Sequence, residues 1–376
     1  MIYEEVDSST RRTISQTTRV LGTLKLDGPL VLGLALLAVY GQVVLYSASG
    51  QDWPSVLRGC IRIGLGATAM LALAQVKPGF LRRLTPWLYT LGVVLLIVVD
   101  AIGYVGKGAQ RWLDLGVVRF QPSEIMKLAV PMMCAWYLRE RPLPPDGTSL
   151  VVLAAIVGVP AGLTVLQPDL GTGMLIAMGG VLVILLAGLQ WQIIAGLGAL
   201  AGLGAWGGWY LLHDYQRQRV LTFLDPQQDP LGAGYHIIQS TIAIGSGGVF
   251  GKGYLNGSQG QLEFLPERST DFIFAVIGEE LGFVGCVILL LLYLLVVSRA
   301  IYLATQTQDT FARLLSGSLA LIFFVYVFIN AGMVSGILPV VGVPLPLISY
   351  GGTSMVTLLA GFGILMSLYS HRKFAA

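Results

Sequence analysis

The chain has 376 residues, of which 55% are hydrophobic and only 11% charged, with a mean hydropathy of +0.75. Soluble domains carry about 25% charged residues, so these values exclude an aqueous globular protein. A net charge of +3 without a long basic tract gives no argument for nucleic-acid binding.

Residues 1–29 are polar, carry Arg11, Arg12, Arg19 and Lys25, and read as a cytoplasmic tail. They contain no short apolar stretch followed by a small-residue cleavage site, so no cleavable signal peptide is expected. A membrane span needs about 20 apolar residues. Ten segments qualify, roughly 30–48, 56–76, 84–105, 121–138, 150–167, 170–188, 191–212, 271–298, 312–338 and 349–370. The expected architecture is therefore an all-α, polytopic membrane protein with ten transmembrane helices spanning 30–370 and a short tail over 371–376. An even count puts both termini on one side. Lys77, Arg82, Arg83, Arg139, Arg141, Arg299, Arg313, Arg372 and Lys373 fall in loops on that same side, which marks it as cytoplasmic.

One short loop on the opposite side breaks the charge rule. Gly106 to Gln121 holds Lys107, Arg111 and Arg119 against Asp114 alone. It leads into FQPSEIMKLAV, where Glu124 and Lys127 lie one helical turn apart, as a site or as a structural intramembrane ion pair. The glycines of the seventh segment, Gly196 to Gly208, need only close helix packing to explain them. A long external loop follows over 213–270, with a turn at Asp225–Pro226 and an amphipathic piece near His236–Ile244. Its GSGGVFGKG run fails as a phosphate loop. Position 246 is Ser where Gly is required, and Lys252 precedes Gly253 rather than Ser or Thr.

The loop ends in LPERSTDFIFAVIGEELG, which feeds Asp271 into an apolar segment carrying Glu279 and Glu280 inward. Carboxylates in such a place are expensive and usually mark a substrate, ion or proton site. Alternatives remain: Asp271 as a helix cap, Glu279 and Glu280 as helix–helix contacts, and the cationic loop as a seat for lipid headgroups. Between the last two spans, Pro339, Pro344 and Pro346 cannot continue a helix, so a re-entrant or cavity-lining loop is expected. Cys60, Cys134 and Cys286 read as small buried hydrophobes, and His213, His236 and His371 form no metal-ligand spacing. A carboxylate beside several cations at an outer rim suits proton abstraction from a hydroxyl while the cations stabilise a departing diphosphate.

FQPSEIMKLAV, LQPDLGTG, FLDPQQDPLGAGYHIIQSTIAIGSGGVFGKG, FLPERSTDFIFAVIGEELGF and PLPLISYGGTSM resemble the SEDS family (shape, elongation, division and sporulation proteins), over about Leu26 to Lys373 and closest to its elongation members. The resemblance implies a peptidoglycan glycosyltransferase polymerising lipid II at the periplasmic face of the bacterial inner membrane, for cell elongation and rod shape. It implies Asp271 as the catalytic base. Arg111, Glu124 and Lys127 match family positions near the cavity. Arg217 and Arg219 are further candidates for the diphosphate, and Lys107, Arg119 and Arg268 complete the cationic rim. Family members often carry His just before the Thr-Asp pair; here that residue is Ser269, which leaves Asp271 as the base. The resemblance also admits a divalent cation, magnesium or manganese, without a legible ligand set. It implies as partners a class B penicillin-binding protein and other membrane proteins of the elongation complex. The rival readings are a lipid II flippase and a non-catalytic activator of the transpeptidase.

Overall fold

The computed structural model describes residues 24–371 apart from 107–108, 115–118, most of 190–232, 263 and 266. The described residues are predominantly helical. In chain order they form α1 (Gly28–Ala48), α2 (Trp53–Gln75), α3 (Pro78–Ile102), α4 (Pro122–Leu138), α5 (Gly147–Leu166), α6 (Leu170–Leu186), α7 (Ala233–Gly247), α8 (Ser258–Gln261), α9 (Ile273–Glu280), α10 (Gly282–Thr305), α11 (Thr310–Val334) and α12 (Thr353–Ser370).

Seven of these, α1, α2, α3, α5, α10, α11 and α12, are long and apolar enough to cross a membrane. At 17 residues each, α4 and α6 are shorter, and the expected span 191–212 lies largely outside the described residues. Asp27, Asp52, Asp146, Asp169 and Asp309 cap α1, α2, α5, α6 and α11 by accepting a backbone N–H of the first turn.

One expectation is corrected. The segment 271–298 is not one helix: the chain breaks at Leu281, and Gly282, at φ +65°, starts α10. The break arises because the backbone of 247–251 packs directly on it. A Cβ on Gly251 would fall 2.1 Å from the Glu280 carbonyl oxygen, so only glycine allows this contact. Within the 245–253 glycine cluster, Gly247 and Gly251 thus serve close packing. The loop after α3 forms a small antiparallel meander of β1 (Tyr104–Gly106), β2 (Ala109–Asp114) and β3 (Arg119–Phe120), with Val105 opposite Gln110 and Leu113 opposite Phe120.

Most of α11 is buried, and this helix lies between two larger apolar clusters. One joins α1, α9, α10, α12 and the proline-rich segment after α11; the other joins α3 to α6 with the start of α11. The proline-rich segment is non-helical and buried at Val343, Leu345, Leu347 and Ile348. At one end of the bundle two ion pairs and a hydrogen bond tie the elements together: Arg299 to Asp27 at 2.7 Å, Arg82 to Asp309 at 2.7 Å, and the Lys25 ammonium donating to His371 Nε2 at 2.9 Å. The candidate site lies at the other end.

Candidate active site

At that other end a cavity of about 390 Å³ opens where β2, the start of α6, α7, the approach to α9 and the proline-rich segment meet. Its lining includes Arg111, Asp169, His236, Glu267, Asp271 and Gly342. Arg111 is set by the entrance of α6. Its guanidinium donates to the Pro168 carbonyl at 2.6 Å and lies 3.6 Å from Asp169 Oδ2. Asp169 is itself immobilised, since Oδ1 caps α6 at Thr172 and Oδ2 accepts from Gln121 Nε2 at 3.1 Å. The cation therefore reaches the cavity on a planar group held at two points.

Asp271 is positioned through its backbone. Asn330 of α11, fully buried, donates from Nδ2 to the Asp271 carbonyl at 2.9 Å and to the Val343 carbonyl at 2.7 Å. Ser349 Oγ donates to the Thr270 carbonyl at 2.5 Å and accepts from the Leu345 N–H, while the Tyr350 N–H donates to the Ser269 carbonyl at 2.7 Å. Three consecutive carbonyls, of Ser269, Thr270 and Asp271, are thus held by α11 and the proline-rich segment. Asp271 does not cap α9, because the N-cap is Phe272. Gly342 (φ +72°) passes over the carboxylate, and a Cβ there would lie 3.5 Å from Asp271 Oδ2.

His236 of α7 completes one wall, its ring stacked on Phe272 at 5.6 Å between centroids. Burial lowers its pKa, and the negative charge of Glu267 opposes that shift only in part.

The other expected site residues lie elsewhere. Glu124 and Lys127 are buried and ion-paired at 2.7 Å, with the ammonium 5.5 Å above the Tyr326 ring; they do not line this cavity. Arg268 donates to the Gly260 carbonyl within α8. Arg217 donates to the Tyr210 carbonyl at 2.9 Å. Lys107, Arg219 and the side chain of Arg119 lie outside the described residues.

Glu279 and Glu280 do not run inward along a span. They end α9 and hold the segment 252–260 against it. Glu279 accepts from Lys252 at 2.7 Å, Ser258 at 3.0 Å and the Gln259 N–H at 2.9 Å. Glu280 accepts from Ser47 Oγ at 2.6 Å and the Leu255 N–H at 3.2 Å. Burial would raise the pKa of Glu279, but its hydrogen bonds from Gln259, Lys252, Gly260 and Ser258 outweigh it and leave the group below the usual carboxylate range. Burial dominates at Glu280, whose pKa is raised.

Among the described residues no group of three His, Cys, Asp or Glu side chains is arranged to hold a metal ion, so no step is derived through one. Asp169, His236, Asn330, Gly342 and Ser349 are site residues that sequence reasoning missed. Asn330 carried a usable signal, as an amide inside the apolar run YVFINAGMV, and Asp169, His236 and Ser349 lie within the quoted family motifs.

The "cell cycle protein" family model of FtsW, RodA and SpoVE matches residues 29–374. The peptidoglycan glycosyltransferase MrdB of Escherichia coli K12 is 53% identical over 349 residues, covering 93% of this chain and 94% of MrdB. A chain from a solved peptidoglycan synthase complex, described as coordinating polymerization and crosslinking, superposes with a TM-score of 0.81 at 36% identity, covering 92% of this chain and 99% of its own. The rod shape determining protein RodA of Thermus thermophilus superposes at 0.70 with 31% identity, covering 92% and 97%. The family model spans most of this multi-pass membrane chain, which belongs to the FtsW/RodA/SpoVE family, the SEDS proteins.

Proposed function

We propose that the chain is a peptidoglycan glycosyltransferase that extends glycan strands from lipid II at the outer face of the bacterial inner membrane. One observation carries the reading: Asp271, its backbone held on one side, shares a cavity with Arg111, a cation that the α6 entrance aims. The 4-hydroxyl of the acceptor GlcNAc binds beside Asp271. Its oxygen attacks the anomeric carbon of the donor MurNAc, and the hydroxyl proton passes to the Asp271 carboxylate. The bond from that carbon to the diphosphate oxygen breaks, and undecaprenyl diphosphate leaves with the electron pair. Arg111 stabilises the charge that develops there. A divalent cation would enter with the diphosphate of the substrate.

The end bearing the cavity faces the periplasm, and both termini lie in the cytoplasm, in keeping with the arginines gathered at the opposite end. The crosslinking partner is a class B penicillin-binding protein. The test is purified protein with labelled lipid II. Asp271→Asn is expected to abolish chain growth while leaving the melting temperature and partner binding unchanged. Chain growth by that variant removes Asp271 from the mechanism. Headgroup translocation in liposomes without growth by the parent replaces the polymerase with a flippase.

A further inference from the structure

A second cavity, of about 590 Å³, lies at the opposite end of the bundle, between the start of α3 and the end of α4. Three arginines, Arg82, Arg83 and Arg139, line it, with Glu140 the lone acid among its lining residues. Arg82 is committed to Asp309, and Arg139 donates to Glu140, whose carboxylate is 78% exposed. Among the described residues Arg83 has no acid partner. The floor includes Gly79 in the first turn of α3, a helix whose N-cap, Lys77, provides no capping side chain. The positive end of the helix dipole favours an anion at this spot, in addition to the arginines.

The ligand class follows from what adjoins the cavity. Phe80, Leu84, Trp87 and Leu91 recur at helical spacing down α3 and are all exposed, so an apolar stripe runs from the cavity along the span. Trp87, 73% exposed, and Trp136, under the Arg139 guanidinium at 4.5 Å, line the cavity themselves. Such rings settle where acyl chains meet headgroups. A free phosphate has no use for the stripe; a phosphodiester carrying acyl chains fits both parts.

We infer that the cleft between the start of α3 and the end of α4 is a binding site for an anionic phospholipid, with its phosphate against Arg83, Arg139 and the α3 N-terminus and its chains along Phe80, Leu84 and Leu91. This site is separate from the Asp271 cavity and independent of the proposed reaction.

Native mass spectrometry of the purified full chain, titrated with phosphatidylglycerol, phosphatidylcholine or inorganic phosphate, tests it. Phosphatidylglycerol is expected to bind in preference to phosphatidylcholine. The double variant Arg83→Gln/Arg139→Gln should weaken it about 25-fold, at about five-fold per arginine near an anionic headgroup. Arg313→Gln, an exposed arginine at the same end outside the cavity, should leave affinity unchanged. Equal affinity of the double variant and the parent overturns the site. So does an equal loss in Arg313→Gln, which makes the effect diffuse. Displacement of the lipid by inorganic phosphate at equal concentration makes it a phosphate site instead. Should the double variant not fold, quenching of tryptophan emission by brominated phosphatidylglycerol reads the same contact. Trp87→Phe is expected to remove much of that quenching, and equal quenching in Trp87→Phe and parent overturns the proposal.

Discussion

Replacing Asn330 by leucine removes the joint between α11, the proline-rich segment and Asp271 without opening a large void. Both acceptors of Nδ2 are carbonyl oxygens, so the amide orientation is chemically forced. The substitution deprives two buried carbonyls of their donor. An unsatisfied buried polar group costs about 1–3 kcal/mol, and a carbonyl has a second lone pair, so the loss totals about 2–4 kcal/mol. The rate should suffer more than the fold. Asp271 loses one of the anchors fixing its backbone, and a misplacement of about 1 Å in a reacting group costs about 10²-fold. Asn330 does not line the cavity, so KM for lipid II should hold while kcat falls. The assay is initial-rate polymerisation across lipid II concentrations, beside a thermal melt in detergent. Parent kcat together with an unchanged melt would refute the reasoning. Ser349→Ala should weaken the same anchor, and the double variant should lose less than the two single losses combined.

Gly342→Ala should lower stability, since a left-handed non-glycine residue costs about 1–2 kcal/mol, while its methyl would meet Asp271 Oδ2 at ordinary van der Waals distance; a parent-like melt contradicts this. His236 gives a pH dependence. Its folded pKa is lowered, so the unfolded chain binds more protons between that value and about 6.5; its contribution is present above about pH 6.5 and lost on acidification. The melting temperature should fall from about pH 7 to about pH 5.5, less steeply in His236→Phe, and parallel profiles would exclude His236 as the source. Lys127→Met leaves the buried Glu124 carboxylate unpaired and should cost about 3–5 kcal/mol, whereas Glu124→Leu/Lys127→Met should recover most of the loss in a thermal melt.

Hydropathy made the spans legible because lipid permits little besides apolar side chains there. It could not detect the break after Glu280, since the residues on both sides are equally apolar. The break depends on the backbone of 247–251 arriving from elsewhere in the chain. Local patterning likewise missed the meander at 104–120, whose pairing is a matter of register between short, irregular strands. At the site, Asp271 and Arg111 were readable as charges out of place, and the family motifs ranked them. Asn330, Ser349 and Gly342 act on Asp271 across 59 to 79 positions of sequence, through single contacts that no periodicity encodes. Glu124 and Lys127 were found as a pair, but whether they faced the cavity depended on how α4 turns against α11.

The separation of α9 from α10 has a mechanical consequence. Residues 272–280 have almost no exposed surface, so α9 touches only protein, whereas α10 presents Ile288, Leu291 and Leu294 outward. A bilayer that thickens or thins exerts its force on surfaces that meet lipid, and a span answers by tilting. The start of α10 is fixed to protein as well, since the Phe283 and Val284 N–H groups donate to the Gly248 and Val249 carbonyls, and α9 is held among α1, α7 and α11. The force of the bilayer reaches the helix that follows Asp271 only through neighbouring protein.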